Sequence, residues 1–193
     1  NNPAPKKCVI SKIYEDNQLI RHCIPCYRKS NDVAGLYDLV NGVFYSNQGT
    51  GQFTLGEKVE QPSRKFNVMD CKNNQAVKFK VIGHKLRIPK EYQEVEYIKA
   101  TGTQYIDTGF NPNNNTRFVL SGLNLVKASA HLFGSRNATY PYAIFTGVLA
   151  SERLGDLRTT FGPATNYYIS VVDDMVSYPF TIDWNKNVVN VIH

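Results

Sequence analysis

The sequence predicts an all-β protein built as an antiparallel two-sheet sandwich, and three observations carry that expectation. Apolar and polar residues alternate with a period of two along much of the chain, and no stretch of a dozen residues keeps the 3.6 period of a helix. Short apolar runs recur at close spacing, parted by Gly, Pro and Asn. The composition, 42% hydrophobic, 12% aromatic and 20% charged over 193 residues, is that of a chain able to bury a core without crosslinks.

The first element expected is a hairpin. Cys8 to Tyr14 and Gln18 to Ile24 flank Glu15-Asp16-Asn17, residues that tolerate left-handed backbone. A second hairpin follows, Leu36 to Val40 and Val43 to Ser46 around Asn41-Gly42, the pair that most readily supplies the two positive φ angles of a type I′ turn. Gly49-Thr50-Gly51 then interrupts the chain before a short strand, Gln52 to Leu55. From Gln61 to Lys90 the composition shifts. Phe66-Asn67-Val68, Val77 to Val81 and Leu86-Arg87-Ile88 alternate apolar and basic residues, which reads as a small β-hairpin linker whose lysines discourage edge-to-edge pairing.

Beyond Pro89 nine short strands are expected: Glu94 to Lys99, Gln104 to Asp107, Arg117 to Leu123, His131 to Phe133, Tyr142 to Thr146, Arg158 to Phe161, Tyr167 to Val172, Phe180 to Asp183 and Val188 to Ile192. Asp183 to Asn187 reads as a polar turn joining the last two. The chain therefore divides into residues 1–60, 61–90 and 91–193.

The net charge of +6 belongs to the middle segment alone. Residues 1–60 hold seven Lys/Arg against six Asp/Glu, residues 61–90 eight against one, and residues 91–193 seven against nine. A fold-wide basic face, the footprint of a nucleic-acid binder, is therefore not expected. No apolar run reaches the roughly 20 residues that cross a bilayer, so no membrane insertion is expected either. The first residues lack the apolar core of a signal peptide, and Asn1 in place of an initiator Met points to a processed product or a piece of a longer chain.

Several chemistries have plainer accounts. Cys23-Ile24-Pro25-Cys26 has redox or zinc spacing, but the second ligand pair and the strand-to-helix context are missing. Cys8, Cys23, Cys26 and Cys71 are therefore read as buried or incidental thiols, their disulfide state left open. Glu94 and Glu96 stand two apart, as in a glycosidase dyad, yet the third acid is absent and Glu91, Glu94 and Glu96 read as solvated. Asp173-Asp174 form no dyad. Asp107, Asn111, Asn113, Asn114 and Asn115 could supply oxygen ligands for calcium, though a tight loop needs the same residues; no metal and no cofactor is assigned. His22, His84, His131 and His193 are scattered.

Two segments resemble a known family. Glu91-Tyr92-Gln93-Glu94-Val95-Glu96-Tyr97-Ile98 with Thr101-Gly102-Thr103-Gln104-Tyr105-Ile106-Asp107-Thr108-Gly109 is similar to the opening of concanavalin A-like (laminin-G-like) jelly rolls in phage and prophage tail proteins of gut bacteria. Ile13-Tyr14, Leu19-Ile20-Arg21, Ile24 to Lys29, Gly35 to Asp38, Phe44 to Asn47 and Gly49-Thr50-Gly51 resemble the closing strands of the same domain. The order departs from the family, because the closing segment comes first. The chain is either a window across tandem domains or a permuted unit, folding as one composite sandwich or as an incomplete half finished by a neighbouring chain. In a composite, Leu36, Leu39, Phe44 and Phe53 bury against Gln104 to Ile106 and Phe180 to Ile182.

The resemblance implies a non-enzymatic recognition or structural module of a tail-like assembly, located in the virion or at a cell surface. Its partners would be a host-surface glycan or protein receptor, or other subunits of a homo-oligomeric assembly. A glycan-degrading enzyme on the same fold and a purely architectural spacer are the rivals. For glycan binding the candidate residues are Arg136, Asn137, Tyr140, Tyr142 and Trp184, because aromatic faces stack on sugar rings while Arg and Asn donate to hydroxyls.

Overall fold

The computed structural model describes residues 6–8, 10–60, 87–113, 115–123, 130–136, 141–146, 157–161, 165–169, 180–185 and 188–192. Among these residues there is no helix and every ladder is antiparallel, so the all-β expectation holds. The strands are β1 (Lys6–Cys8), β2 (Ile10–Glu15), β3 (Gln18–Arg28), β4 (Val33–Asp38), β5 (Val43–Ser46), β6 (Thr54–Leu55), β7 (Tyr92–Glu94) and β8 (Ile98–Ala100). They continue with β9 (Thr116–Leu123), β10 (Ala130–Arg136), β11 (Pro141–Thr146), β12 (Leu157–Phe161), β13 (Thr165–Ile169), β14 (Phe180–Asn185) and β15 (Val188–Ile192).

Three sheets result. The largest has eight strands in the order β15-β14-β9-β2-β3-β4-β5, with β7 also paired to β3; β1-β8-β6 form a second and β10-β11-β12-β13 a third. Four ladders join strands before residue 61 to strands after residue 86. They are β2–β9, from Ile10↔Ser121 to Glu15↔Thr116, then β3–β7, β1–β8 and β6–β8. The first and third segments of the chain therefore share sheets.

The alternation seen in the sequence becomes a buried row across the main sheet. Ile13 stands opposite Phe118, and Phe118 opposite Trp184; all three are at most 1% exposed. The Phe118 and Trp184 rings lie 5.5 Å apart. The neighbouring row runs Ser11, Leu120, Ile182, also buried. The intervening positions Lys12, Val119 and Asp183 are half-buried on the opposite face. Burying a side chain of this size is worth about 1.5–3 kcal/mol, so this row alone is a large part of what holds β2, β9 and β14 together.

At β3 and β4 both faces are covered. Cys23 and Leu36 pack with Val95 and Ile98, joined by Phe53, Leu55 and Ile106. On the other face Ile24, Cys26 and Tyr37 pack with Ile10, Leu39, Phe44, Ile88 and Tyr92. Leu36, Phe53 and Ile106 thus share one cluster, whereas Leu39 and Phe44 join the cluster on the other face, where the Phe44 ring lies 5.0 Å from that of Tyr92.

Pro25 sits inside β3, a position that a proline without N–H normally cannot occupy. Its carbonyl accepts the Val95 N–H at 3.1 Å, so its missing donor faces the edge shared by β2 and β7. β2 reaches only to the level of Cys23 and β7 begins at the level of Cys26, so the missing bond falls at the handover between them.

The turns differ from expectation. Asp16 and Asn17 have φ of 50° and 64°, the pair of left-handed residues expected of Asn41-Gly42. At the second hairpin only Gly42 is left-handed, at 69°. There Gly42 N–H bonds the Asp38 carbonyl at 2.8 Å, closing a four-residue loop, Leu39 to Gly42, so β4 stops at Asp38 and not at Val40. The expected strand Glu94 to Lys99 is two strands, β7 and β8, and Gln104 to Asp107 makes only a single bridge, Asn47↔Ile106. The linker hairpin expected at 61–90 falls on residues 61–86, outside the described residues, as do Asp173 and Asp174.

Candidate functional site

The residues named for glycan binding do not all come together. Arg136 ends β10 opposite Pro141, and Tyr142 in β11 stands opposite Ser135 and Phe161, so both lie at one end of the β10–β11 hairpin. Asn137 and Tyr140, in the connection between these strands, lie outside the described residues. Trp184 does not join them. It is 0% exposed in β14, against Phe118, and its ring is a core element with no face open to a sugar. Its parity could have shown this: Ile182 and Trp184 alternate with the polar Thr181, Asp183 and Asn185.

The other candidate chemistries take structural positions. Cys23 and Cys26 are buried on opposite faces of β3, three residues apart, in separate core clusters, so they neither pair with each other nor chelate one ion. Burial pushes the Cys26 thiol up to about 12, with the Glu94 charge adding to it against a backbone hydrogen bond from Tyr37, so it is a poor nucleophile. Asp107 Oδ1 accepts the Gly109 N–H at 2.8 Å and Asn113 Oδ1 accepts the Asn115 N–H at 2.8 Å. These oxygens shape turns. Burial, with Lys12 beside it, lowers the His22 pKa against the opposing pull of the Asp38 carboxylate.

Asp38, not among the residues singled out in the sequence, is 0% exposed. Its Oδ1 accepts the backbone N–H groups of His22 at 2.9 Å and Val40 at 3.0 Å, and its Oδ2 accepts from Asn41 Nδ2 at 2.7 Å. Arg21 Nε lies 3.5 Å from the same Oδ2, a charge partner without hydrogen-bond geometry. Asn41 Nδ2 also donates to the Ile20 carbonyl at 2.7 Å. An aspartate just ahead of an Asn-Gly loop is the signal that could have located this clamp.

On the outer face Arg117 donates to both oxygens of Asp183, at 2.7 and 2.6 Å, with its guanidinium over the Tyr14 ring at 5.2 Å. Half-exposed, this pair ties β9 to β14 and β2 and adds modestly to the ladders.

The best-defined surface is where the two resembling segments meet. The loop Asn47 to Gln52 lies against Thr101 to Asp107. Asn47 Oδ1 accepts the N–H of Gly49 at 2.9 Å and of Tyr105 at 3.1 Å, while Gln48 N–H donates to the Tyr105 carbonyl at 2.9 Å. Thr103 Oγ1 donates to the Thr50 carbonyl at 2.9 Å, and Gln104 Nε2 to that of Gln52 at 3.2 Å. Apart from the local Asn47–Gly49 bond, these contacts join residues 52 to 58 positions apart. Gly49 is required there, because a Cβ would stand 1.9 Å from the Thr103 carbonyl oxygen. Outward from this joint points Tyr105, 57% exposed.

Comparison with family models, with curated proteins and with solved structures finds no match to this chain.

Proposed function

We propose that the chain is a non-enzymatic recognition module with a concanavalin A-like jelly-roll sandwich, part of a phage or prophage tail-like assembly, that binds host-surface glycan. The reading rests on the resemblance of the two segments to the closing and opening strands of that family. The observation that carries it furthest is their junction. The segment resembling a closing sequence and the one resembling an opening sequence adjoin through Asn47, Thr103 and Gln104, as the first and last strands of one domain would. A linker between such neighbours costs little closure entropy, so the inverted order is compatible with one domain. In this reading the β10–β11 hairpin, with Arg136, Asn137, Tyr140 and Tyr142, is the glycan-facing end.

The test is retention of the full chain on host-wall polysaccharide together with an assay for released reducing ends. Retention without release, weakened by Arg136→Ala and Tyr142→Ala, is expected. Reducing ends released by the chain and lost on Glu94→Gln would make it an enzyme. A polysaccharide panel with no retention would leave an architectural spacer as the better account.

A further inference from the structure

We infer that Tyr105, with Thr103 and Asp107 on either side, forms a binding subsite for a neutral sugar ring at the junction of the two segments. The inference rests on the glycan-recognition reading and adds a place to it that is separate from the β10–β11 hairpin.

Exposure alternates along this stretch: Thr103, Tyr105 and Asp107 face outward, while Gln104, Ile106 and Thr108 are half-buried. Ile106 is anchored in the core cluster with Leu36 and Ile98. The outward row therefore carries a hydroxyl, an aromatic ring and a carboxylate, each about 7 Å from the next along the backbone. The backbone that carries the ring is held before any ligand arrives. The backbone N–H of Tyr105 is bonded to Asn47 Oδ1 and its carbonyl to Gln48 N–H. Gly49 lies under the ring edge, where a Cβ would stand 3.2 Å from Tyr105 Cδ1. A large aromatic surface left 57% open and fixed at its backbone costs little entropy when it stacks on an apolar ligand face.

The flanking groups select the chemistry. Asp107 spends Oδ1 on Gly109 N–H and keeps a second carboxylate oxygen, which accepts from ligand hydroxyls. The Thr103 hydroxyl, two residues before the ring, meets that of Thr50 at the same junction. An exposed aromatic plane flanked in sequence by a hydroxyl and a carboxylate suits a pyranose, with C–H groups on one side and hydroxyls at the rim. A negatively charged sugar is disfavoured, because Asp107 would face its carboxylate.

The experiment is an amide-resolved NMR titration of the full chain with the methyl glycosides of glucose, galactose, mannose and N-acetylglucosamine, and with N-acetylneuraminic acid as the anionic control. At least one neutral glycoside is expected to shift the amides of residues 47–51 and 103–107, with the anionic control silent. Tyr105→Ala should weaken that binding about tenfold while Tyr105→Phe keeps it, and both variants should retain the wild-type spectrum elsewhere. Shifts confined to residues 134–143 would overturn the Tyr105 subsite and leave the glycan reading standing. Silence with every sugar would overturn both. A change of oligomeric state on Tyr105→Ala, without any sugar effect, would make the ring a subunit contact and refute the subsite.

Discussion

The seam between the chain's two segments and the four-stranded sheet β10–β13 are both antiparallel, but they are assembled in different ways. In the four-stranded sheet every ladder joins consecutive strands, so each pairing closes a short loop. The seam joins β2 to β9 and β3 to β7, whose paired residues stand 64 to 111 positions apart, across the basic linker. Closing such a loop costs entropy before any contact repays it, so the seam depends on burial. It is the seam that carries the row Ile13, Phe118, Trp184 and the cluster Cys23, Leu36, Val95, Ile98. The lesson concerns assembly: among the described side chains the buried core lies along the long-range ladders, while the β10–β13 sheet is paired locally.

Breaking the seam should have the largest effect. Phe118→Ala removes the ring between Ile13 and Trp184 and is expected to cost about 3–5 kcal/mol, read as a lowered denaturation midpoint. Trp184 is the single tryptophan, so its fluorescence reports the same transition, and both signals should move together. Next comes Asp38→Ala, expected to cost about 3 kcal/mol because it orphans the buried N–H groups of His22 and Val40 and leaves Arg21 without its partner. The same substitution removes one of the two acceptors that hold the Asn41 side-chain amide, the group that the Gly42 backbone nitrogen attacks in succinimide formation. Conversion of Asn41 to Asp and isoAsp, followed by peptide mapping, should therefore accelerate in that variant and stay slow in the wild type.

An effect absent near neutral pH follows from Cys26. Its folded pKa of about 12 lies above the ordinary thiol value of 9.0, so the folded chain holds a proton that the unfolded chain releases. Stability is fully present below about pH 9 and falls between about 9 and about 12, by at most roughly 1.4 kcal/mol per pH unit. Cys26→Ala should flatten that decline in a series of denaturant melts. The smallest effect expected is at the first turn. Asn17→Gly should change stability by no more than about 1 kcal/mol, because Gly also adopts its left-handed φ, whereas Asn17→Val should cost about 1–2 kcal/mol.

The sequence made the strands legible and their partners much less so. Alternation located β9, β11, β12, β14 and β15 within a few residues, because period two is a property of the strand itself. The Asp16-Asn17 turn was found for the right reason, while the Asn41-Gly42 turn was assigned the wrong geometry, since Asp38 captures Val40 and Asn41 and stretches the loop to four residues. Pro25 concealed the continuation of β3 to Arg28, because a proline argues against a central strand unless the neighbouring edge has a gap at its level. The burial of Trp184 is legible in the alternation of Ile182 and Trp184 with Thr181, Asp183 and Asn185, whereas its partner Phe118, 66 positions earlier, is not, because ladder register is not written in local pattern. The junction at Tyr105 is legible in the sequence only as two separate Gly- and Thr-rich segments, and the Asn47↔Ile106 bridge with the hydrogen bonds around it shows that they touch.

The central claim is that residues before 61 and after 86 form one cooperative unit, and the most direct measurement is the thermal and denaturant melt of residues 91–193 expressed alone, followed at Trp184. That fragment lacks Ile13, Cys23 and Leu36 and presents the edge of β9 unpaired. The account predicts an aggregating or non-cooperative chain that recovers a single sigmoidal transition when residues 1–60 are added. A soluble monomer of residues 91–193 that melts cooperatively without them would contradict it.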